Sequence, residues 1–296
     1  MERSFCMTNK KIDYLDRKGI IDITKLEPAK EGPTTKFRDS DGEKYFRLCL
    51  TREEATRYQR VLGGLEGIFP TVLGISLCTD GRYALVTQAI PGRVIHLDDD
   101  PNIFFDIGTK LGLLHNIPVN GRQTEEFLGK MSLQMQDVIA QLAYSNWINS
   151  NTKRALLERW SEVKNGQAKC SLIYFDIKPE DIVLLDEQSA KGAHPYTFFV
   201  DEGSLEFGLQ GRDIIKMTRA WDRWKGLDQD RYVAVMCGYK DAGGDQQVIQ
   251  EQVLLLEFVL FVTQAKAGLT KSRGNSNVQH LKEETRQMLE LLLGKT

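Results

Sequence analysis

The stretch Leu172-Ile-Tyr-Phe-Asp176-Ile-Lys178-Pro179-Glu-Asp181-Ile-Val-Leu-Leu185 decides how this chain is read. An apolar run ends on Asp176, a turn follows through Lys178 and Pro179, and Asp181 stands before a second apolar run. Short apolar runs bounded by turn residues predict strands. Further on, Phe198-Phe-Val-Asp201-Glu202-Gly203 ends another predicted strand on an acidic pair and a glycine. Asp176, Asp181 and Asp201 are therefore expected at neighbouring strand ends. An Asp before a turn has an ordinary explanation, because its side chain bonds the local backbone. The order of the surrounding segments argues for more.

Such a group of carboxylates suits phosphoryl transfer. One carboxylate orients the attacking hydroxyl or takes its proton, further oxygens hold Mg²⁺ against nucleotide phosphates, and a cation offsets developing charge.

Upstream, the first hundred residues read as strands and turns. An aromatic and apolar run over 44–50 follows the turn signal Asp41-Gly42, and runs over 71–77 and 83–90 flank Asp80-Gly81. Between them, 51–62 is a helix that Thr51 caps, with Glu54 completing a capping box. Pro91-Gly92 then breaks the chain, and helices are expected over 102–115, 132–149 and 152–165. In the first of these Ile103, Ile107, Leu111 and Leu114 carry the helical period. Beyond a strand over 196–200 the chain reads as helical to Leu293, with the acidic, glycine-rich stretch 228–247 as a loop or helix junction. Doubly wound folds alternate strand and helix throughout; this order does not. The expected domains are a β-rich lobe over 1–90 and a mainly helical lobe over 91–296.

Composition narrows the class. A hydrophobic fraction of 41% with 27% charged residues excludes a largely disordered chain. A formal charge of −2 supplies no global field for nucleic acid or anionic lipid. Cys6, Cys49, Cys78, Cys170 and Cys237 are scattered without metal-ligand spacing, which suits reduced thiols in the cytoplasm. The polar N-terminus has no apolar core of a signal peptide. The apolar run 253–263 contains Glu257 and is too short to cross a bilayer, so a buried helix is expected there.

The segments resemble the protein-kinase-like superfamily, and within it the aminoglycoside phosphotransferase and choline kinase families. Residues 174–184 resemble the H-x-D-x-x-x-x-N loop, and 198–208 the metal-binding strand end. The resemblance implies an α+β, two-lobed kinase-like fold using ATP and Mg²⁺, and a small-molecule hydroxyl acceptor. It implies Asp176 as catalytic base with Lys178 beside it, Asp181 at the second metal position and Asp201 as principal Mg²⁺ ligand. Arg47, in Tyr45-Phe46-Arg47-Leu48, stands where these families present a phosphate-contacting Lys, and Glu54 resembles its helix partner. Gln88, Ala89 and Ile90 resemble the hinge that binds adenine. Leu114-His115 resembles the helix end preceding the catalytic region, and Asp213, in Gly211-Arg-Asp213, the brace of the loop. Tyr174 replaces the loop His, Asp181 replaces its Asn, Glu202 follows Asp201, and 26–37 has no G-x-G-x-x-G. These departures leave a silent pseudokinase acting as a binding or scaffold module as the alternative. Lys178-Pro179 also admits a kinase of protein or glycan, although no A-P-E element follows Asp201.

Several of these residues have plainer readings. Arg47 also fits a snorkelling edge-strand side chain. The capping box alone explains Glu54, Asp213 reads as structural, and His115 reads as a brace or helix-end cation. His96, His194 and His280 read as surface or loop residues. Trp221, Trp224 and Tyr232 interleave with Asp222, Asp228 and Asp230, a pattern that suits a cage for a cationic acceptor. Tryptophans three apart on a helix are more often core.

Overall fold

The computed structural model describes residues 34–39, 42–49, 51–77, 82–117, 119, 121–164, 168–186, 197–201, 204–218, 224–272 and 278–294, with backbone alone for 34–49. Backbone packing gathers the chain into two compact units. One combines residues up to Ile95 with Glu180–Gly203, and the other combines His96–Pro179 with Ser204–Thr296.

The first unit is built on an antiparallel sheet. β1 (Thr34–Asp39) and β2 (Gly42–Cys49) form a hairpin with Asp39 opposite Gly42, at the turn the Asp-Gly pair predicts. β3 (Val72–Leu77) and β4 (Tyr83–Gln88) complete the strand order β1-β2-β4-β3. Ala84, Leu85 and Val86 of β4 are fully buried, as an inner strand requires. α1 (Arg52–Leu62) packs on β3 and β4 through buried Ala55 and Leu62. Thr51 precedes it and accepts from Ala55 N at 3.2 Å; the side chain of Glu54 lies outside the described residues.

A second small sheet in this unit was not expected from the sequence. β5 (Gly92–Val94), β7 (Ile182–Leu185) and β8 (Thr197–Phe199) pair in the order β5-β7-β8. Pro91-Gly92 thus starts a strand before any helix. Glycine is required there, since a Cβ on Gly92 would sit 2.0 Å from Leu184 O. Phe199 anchors the sheet edge-on against Phe69, with ring centroids 5.9 Å apart.

The second unit carries the helices α2 (Pro101–His115), α3 (Gly121–Tyr144) and α4 (Ser150–Val163), then β6 (Cys170–Tyr174) and β9 (Leu205–Leu209). It ends with α5 (Arg212–Met217), α6 (Gln229–Asp241), α7 (Gln246–Glu251), α8 (Val253–Ser272) and α9 (Val278–Leu292). Asp100 caps α2, accepting from Asn102 N at 2.8 Å, and Pro101 fills the first helical position, where no N–H is needed.

Three expectations need correction. α3 begins at Gly121, well before residue 132. Residues 205–209, expected to be helical, form β9 and pair antiparallel with β6. Most of the stretch 228–247 is helix: Asp228 caps α6 through Arg231 N at 2.9 Å, and Val235, Gly238 and Tyr239 recur at helical spacing on its buried side.

The apolar run at 253 extends as helix to Ser272, long and apolar enough by composition to cross a membrane. Its burial makes it core: Leu256, Phe258, Val259 and Phe261 are fully covered, and Phe258 meets Trp160 of α4 edge-on at 5.5 Å.

α2 and α6 cross through glycines. A Cβ on Gly108 would lie 1.9 Å from Val235 O, and one on Gly238 would lie 2.0 Å from Phe105 O. Gly108→Ala therefore forces the helices apart. Overpacking of this kind costs about 3 kcal/mol at the upper end, against the roughly 1 kcal/mol that Ala gains in helix propensity. Urea unfolding is expected to show a lower midpoint for Gly108→Ala. A higher midpoint would mean that the crossing yields.

Candidate active site

β6 carries the chain inward and then releases it. Ile173 and Tyr174 are fully buried, whereas the Asp176 side chain is 46% exposed. The turn is held at successive backbone positions. Tyr174 N donates to Asp213 Oδ2 at 3.1 Å, Phe175 N to Ser204 O at 2.7 Å, and Trp224 Nε1 to Ile177 O at 3.0 Å.

Beneath the turn lies a buried relay. Gln210 Nε2 donates to the Tyr239 hydroxyl at 2.9 Å, the hydroxyl meets His115 Nδ1 at 3.0 Å, and His115 Nε2 meets Asp213 Oδ2 at 3.0 Å. A carboxylate only accepts, so Nε2 carries the proton toward Asp213. With the imidazole neutral, Nδ1 then accepts from the Tyr239 O–H, and every donor has an acceptor. Burial pushes the Tyr239 phenol well above its ordinary range and keeps that donor protonated. Asp213 Oδ1 also accepts from Ile214 N at 2.9 Å, which fixes the carboxylate at the start of α5.

The Asp176 carboxylate faces cations. Lys178 Nζ lies 2.6 Å from Oδ2, and Lys216 Nζ 2.6 Å from Oδ1. Burial alone would raise the carboxyl pKa, but hydrogen bonds and charge from Lys178 and Lys216 outweigh it and hold the group below the usual Asp range. Ionisation is thus favoured by folding. The pairs add to stability above the unfolded-state Asp pKa and lose that contribution as pH falls through the depressed value, with solvent screening part of it. Arg212 stacks on the Phe175 ring at 3.3 Å, and burial lowers its pKa to about 10.

In the other unit, the register of β7 and β8 brings two acids to one end of the strand pair. Ile182 pairs with Phe199, and Val200 N donates to Asp181 O at 2.9 Å. Asp181 and Asp201 therefore stand at one end of this strand pair, both partly buried. Carboxylates are the hard oxygen donors that Mg²⁺ takes, with its other positions left to phosphate and water, so the donor set fits that ion.

No family model matches the sequence, and no curated protein sequence does. Solved structures match along nearly the whole chain. Ethanolamine kinase from Plasmodium vivax aligns with a TM-score of 0.59 at 13% identity, over 93% of this chain and 84% of that one. The GDP complex of aminoglycoside 2′-phosphotransferase-IIIa aligns at 0.57 and 12% identity, over 95% of each chain. Amicoumacin kinase hAmiN, in complex with AMP-PNP, Ca²⁺ and Ami, aligns at 0.55 and 13%, over 92% and 88%. The fold is that of the protein-kinase-like aminoglycoside phosphotransferase and choline kinase group. As in that kinase-like fold, small antiparallel sheets come with a mainly helical part.

The kinase-like fold brings some of the expected site residues together. Asp176 and Lys178 pair directly, and Tyr174 and Asp213 lie immediately beneath them. Arg47 stands in β2 opposite Leu85 of β4, Glu54 lies in α1, and Gln88 closes β4 with its N–H on Thr71 O at 2.9 Å. Ala89 and Ile90 follow it outside any strand. Glu202 and Trp221 lie outside the described residues, as do residues 26–33 of the expected phosphate-covering loop; residues 34–37 belong to β1.

Trp224 is packed as core. It sits in a turn, is 1% exposed, and spends its N–H on the Asp176 turn. Asp228 caps α6 and pairs with Arg231. Trp224 and Asp228 both line a cavity of about 270 Å³, together with Met217, Thr218, Leu227 and Tyr232 among others. Burial pushes the Cys170 thiol up to about 11, which disfavours the nucleophilic thiolate. The residues that sequence reasoning missed are Lys216 and Tyr239. Neither belongs to a local motif, and only the fold brings them to this site.

Proposed function

We propose that the chain is an ATP- and Mg²⁺-dependent phosphotransferase acting on a hydroxyl of a small molecule such as an aminoglycoside, an amino alcohol or a sugar, in the cytoplasm. The observation that carries this reading is Asp176: an accessible carboxylate, kept ionised by Lys178 and Lys216, on a turn whose backbone is tied to a buried Asp-His-Tyr relay. A general base needs that accessibility and that fixed geometry. In the proposed reaction the acceptor oxygen bonds to the γ-phosphorus as the bond to the bridging β–γ oxygen breaks. The hydroxyl proton passes to Asp176, and ADP leaves.

On this reading residues 1–90 form the nucleotide-binding lobe and 91–296 the catalytic and substrate lobe, except that Glu180–Gly203 packs within the first compact unit. Asp201 and Asp181 hold Mg²⁺, which neutralises charge on the phosphates. Arg47, paired with Glu54, faces the phosphates, and the backbone of Gln88, Ala89 and Ile90 binds adenine. Glu202 supports the metal site. Trp221, Trp224 and Asp228 were the expected acceptor contacts. Trp224, Asp228 and Tyr232 all line one cavity, which is the acceptor site on this reading, with the Trp224 N–H turned to the loop at Ile177 O.

A coupled ADP-release screen over aminoglycosides, amino alcohols and sugars tests the proposal, with Asp201→Ala as blank. Turnover with at least one acceptor is expected. The engagement of both Asp176 oxygens by lysines favours a second reading, a silent module. Absence of any Mg·ATP-dependent rise in melting temperature, together with an empty screen, would establish that module instead.

A further inference from the structure

Lys178 and Lys216 both reach Asp176, but they are held differently. Lys178 belongs to the same turn as the carboxylate, so it moves with it, and its side chain is 30% exposed. Lys216 comes from α5, and its side chain is 12% exposed. Its Nζ also reaches toward Ile177 O at 3.5 Å.

α5 already grips this turn elsewhere. Asp213 and Lys216 are three residues apart and share a helix face. Asp213 accepts from Tyr174 N just before Asp176, and Lys216 takes the carboxylate itself at 2.6 Å. One short helix thus fixes both the backbone leading to the acid and the acid's rotamer. The charged groups facing Asp176 are Lys178 from its own turn and Lys216 from α5. Arg212 of α5 feels its charge more distantly, with Glu206 and Asp213 beyond Arg212.

We propose that Lys216 is the positioning residue for Asp176: it anchors Oδ1 permanently, leaving Oδ2, shared with the more exposed Lys178, as the oxygen that meets the acceptor hydroxyl. This rests on the reading of Asp176 as the base. On binding, the acceptor hydroxyl competes with Lys178 at Oδ2, and Lys178 is freed to face the transferring phosphoryl. Lys216 stays in place and keeps the carboxylate from rotating with the loop.

The test combines Lys216→Met, Lys216→Gln and Lys216→Arg with two readouts. The first is the ¹³C titration of the Asp176 carboxyl in the nucleotide-free protein. Met and Gln are expected to move its midpoint upward, and Arg to leave it near wild type. The second is ADP release across pH. Met and Gln are expected to lower kcat by roughly 10²-fold, the effect of a small misplacement of a reacting group. The KM for nucleotide should be unchanged, the acid limb of the profile should move upward with the carboxyl, and Arg should restore most of kcat.

An unmoved carboxyl titration in both Met and Gln overturns the proposal, as does wild-type kcat in either variant. If Met fails to fold, Gln carries the same comparison. If wild-type protein releases no ADP with any acceptor, the kinase reading fails on its own. The titration then still decides whether Lys216 governs Asp176.

Discussion

Replacing Asp176 by Asn is expected to lower ADP release by roughly 10²- to 10⁴-fold, the usual contribution of a general base, while the protein remains folded. Asn keeps the size and one acceptor oxygen but cannot take a proton. The fold tolerates the change because the turn is also pinned on either side of residue 176, at Tyr174 N, Phe175 N and Ile177 O, by bonds that do not involve the carboxylate. Loss of the charge leaves Lys178 and Lys216 without the anion that each approaches at 2.6 Å. Solvent reaches this site, so the stability penalty is small. Nucleotide-induced thermal stabilisation should survive in Asp176→Asn. Full activity in this variant would remove the base from the mechanism, and loss of folding would make the residue structural.

The second large effect is expected at Asp213. Its side chain is completely buried and accepts from Tyr174 N, His115 Nε2 and Ile214 N. Asp213→Ala leaves three buried donors, at Tyr174, His115 and Ile214, without their acceptor. An orphaned buried donor costs about 1–3 kcal/mol, so the three together cost on the order of 5 kcal/mol. In a chain of this size that lowers Tm by about 10 °C. Activity should fall with it, because the backbone just before Asp176 loses its anchor. Asp213→Asn, which keeps one acceptor oxygen, should lie between. A double-mutant cycle with His115→Ala should show that the two losses are not additive, since the residues belong to one relay. Additive losses within a few tenths of a kcal/mol would dissolve the relay into independent contacts.

How far the sequence could be read depends on how local each signal was. Residues 172–185 were legible because their apolar runs and turn residues alternate within one short window. The chain does form β6, a turn and β7 there. Their order relative to the strand at Phe198 and the helix end at His115 was also legible, because order survives without any knowledge of contacts. Where pairing is distant, the reading failed. β5 is only Gly92-Arg-Val94 and exists because β7 lies beside it. β9 presents exposed Glu206 and Phe207 between its partly and fully buried ends, so no clean alternation marks it. Residues 228–247 read as a loop or helix junction because Asp228, Asp230 and Gly238 are breakers on average. Here they are a cap, a first-turn acid and a contact point for α2. Lys216 carries no motif at all. Its meaning is a 2.6 Å distance between residues forty positions apart.

The excursion of the chain between β6 and β9 bears on biosynthesis. β6 and β9 are partners, yet the residues joining them leave for the other compact unit and supply β7 and β8 to it. On the ribosome, Gly92–Val94 therefore emerges long before Ile182–Leu185, the strand it pairs with. The nascent β5 must wait with its pairing edge open, and closure over such a sequence distance is slow. A fragment ending at Ile95 would contain the four-stranded sheet but lack two of the three strands of its neighbour. The N-terminal unit is thus an assembly of two separate stretches of chain, and cannot be cut out by a single truncation.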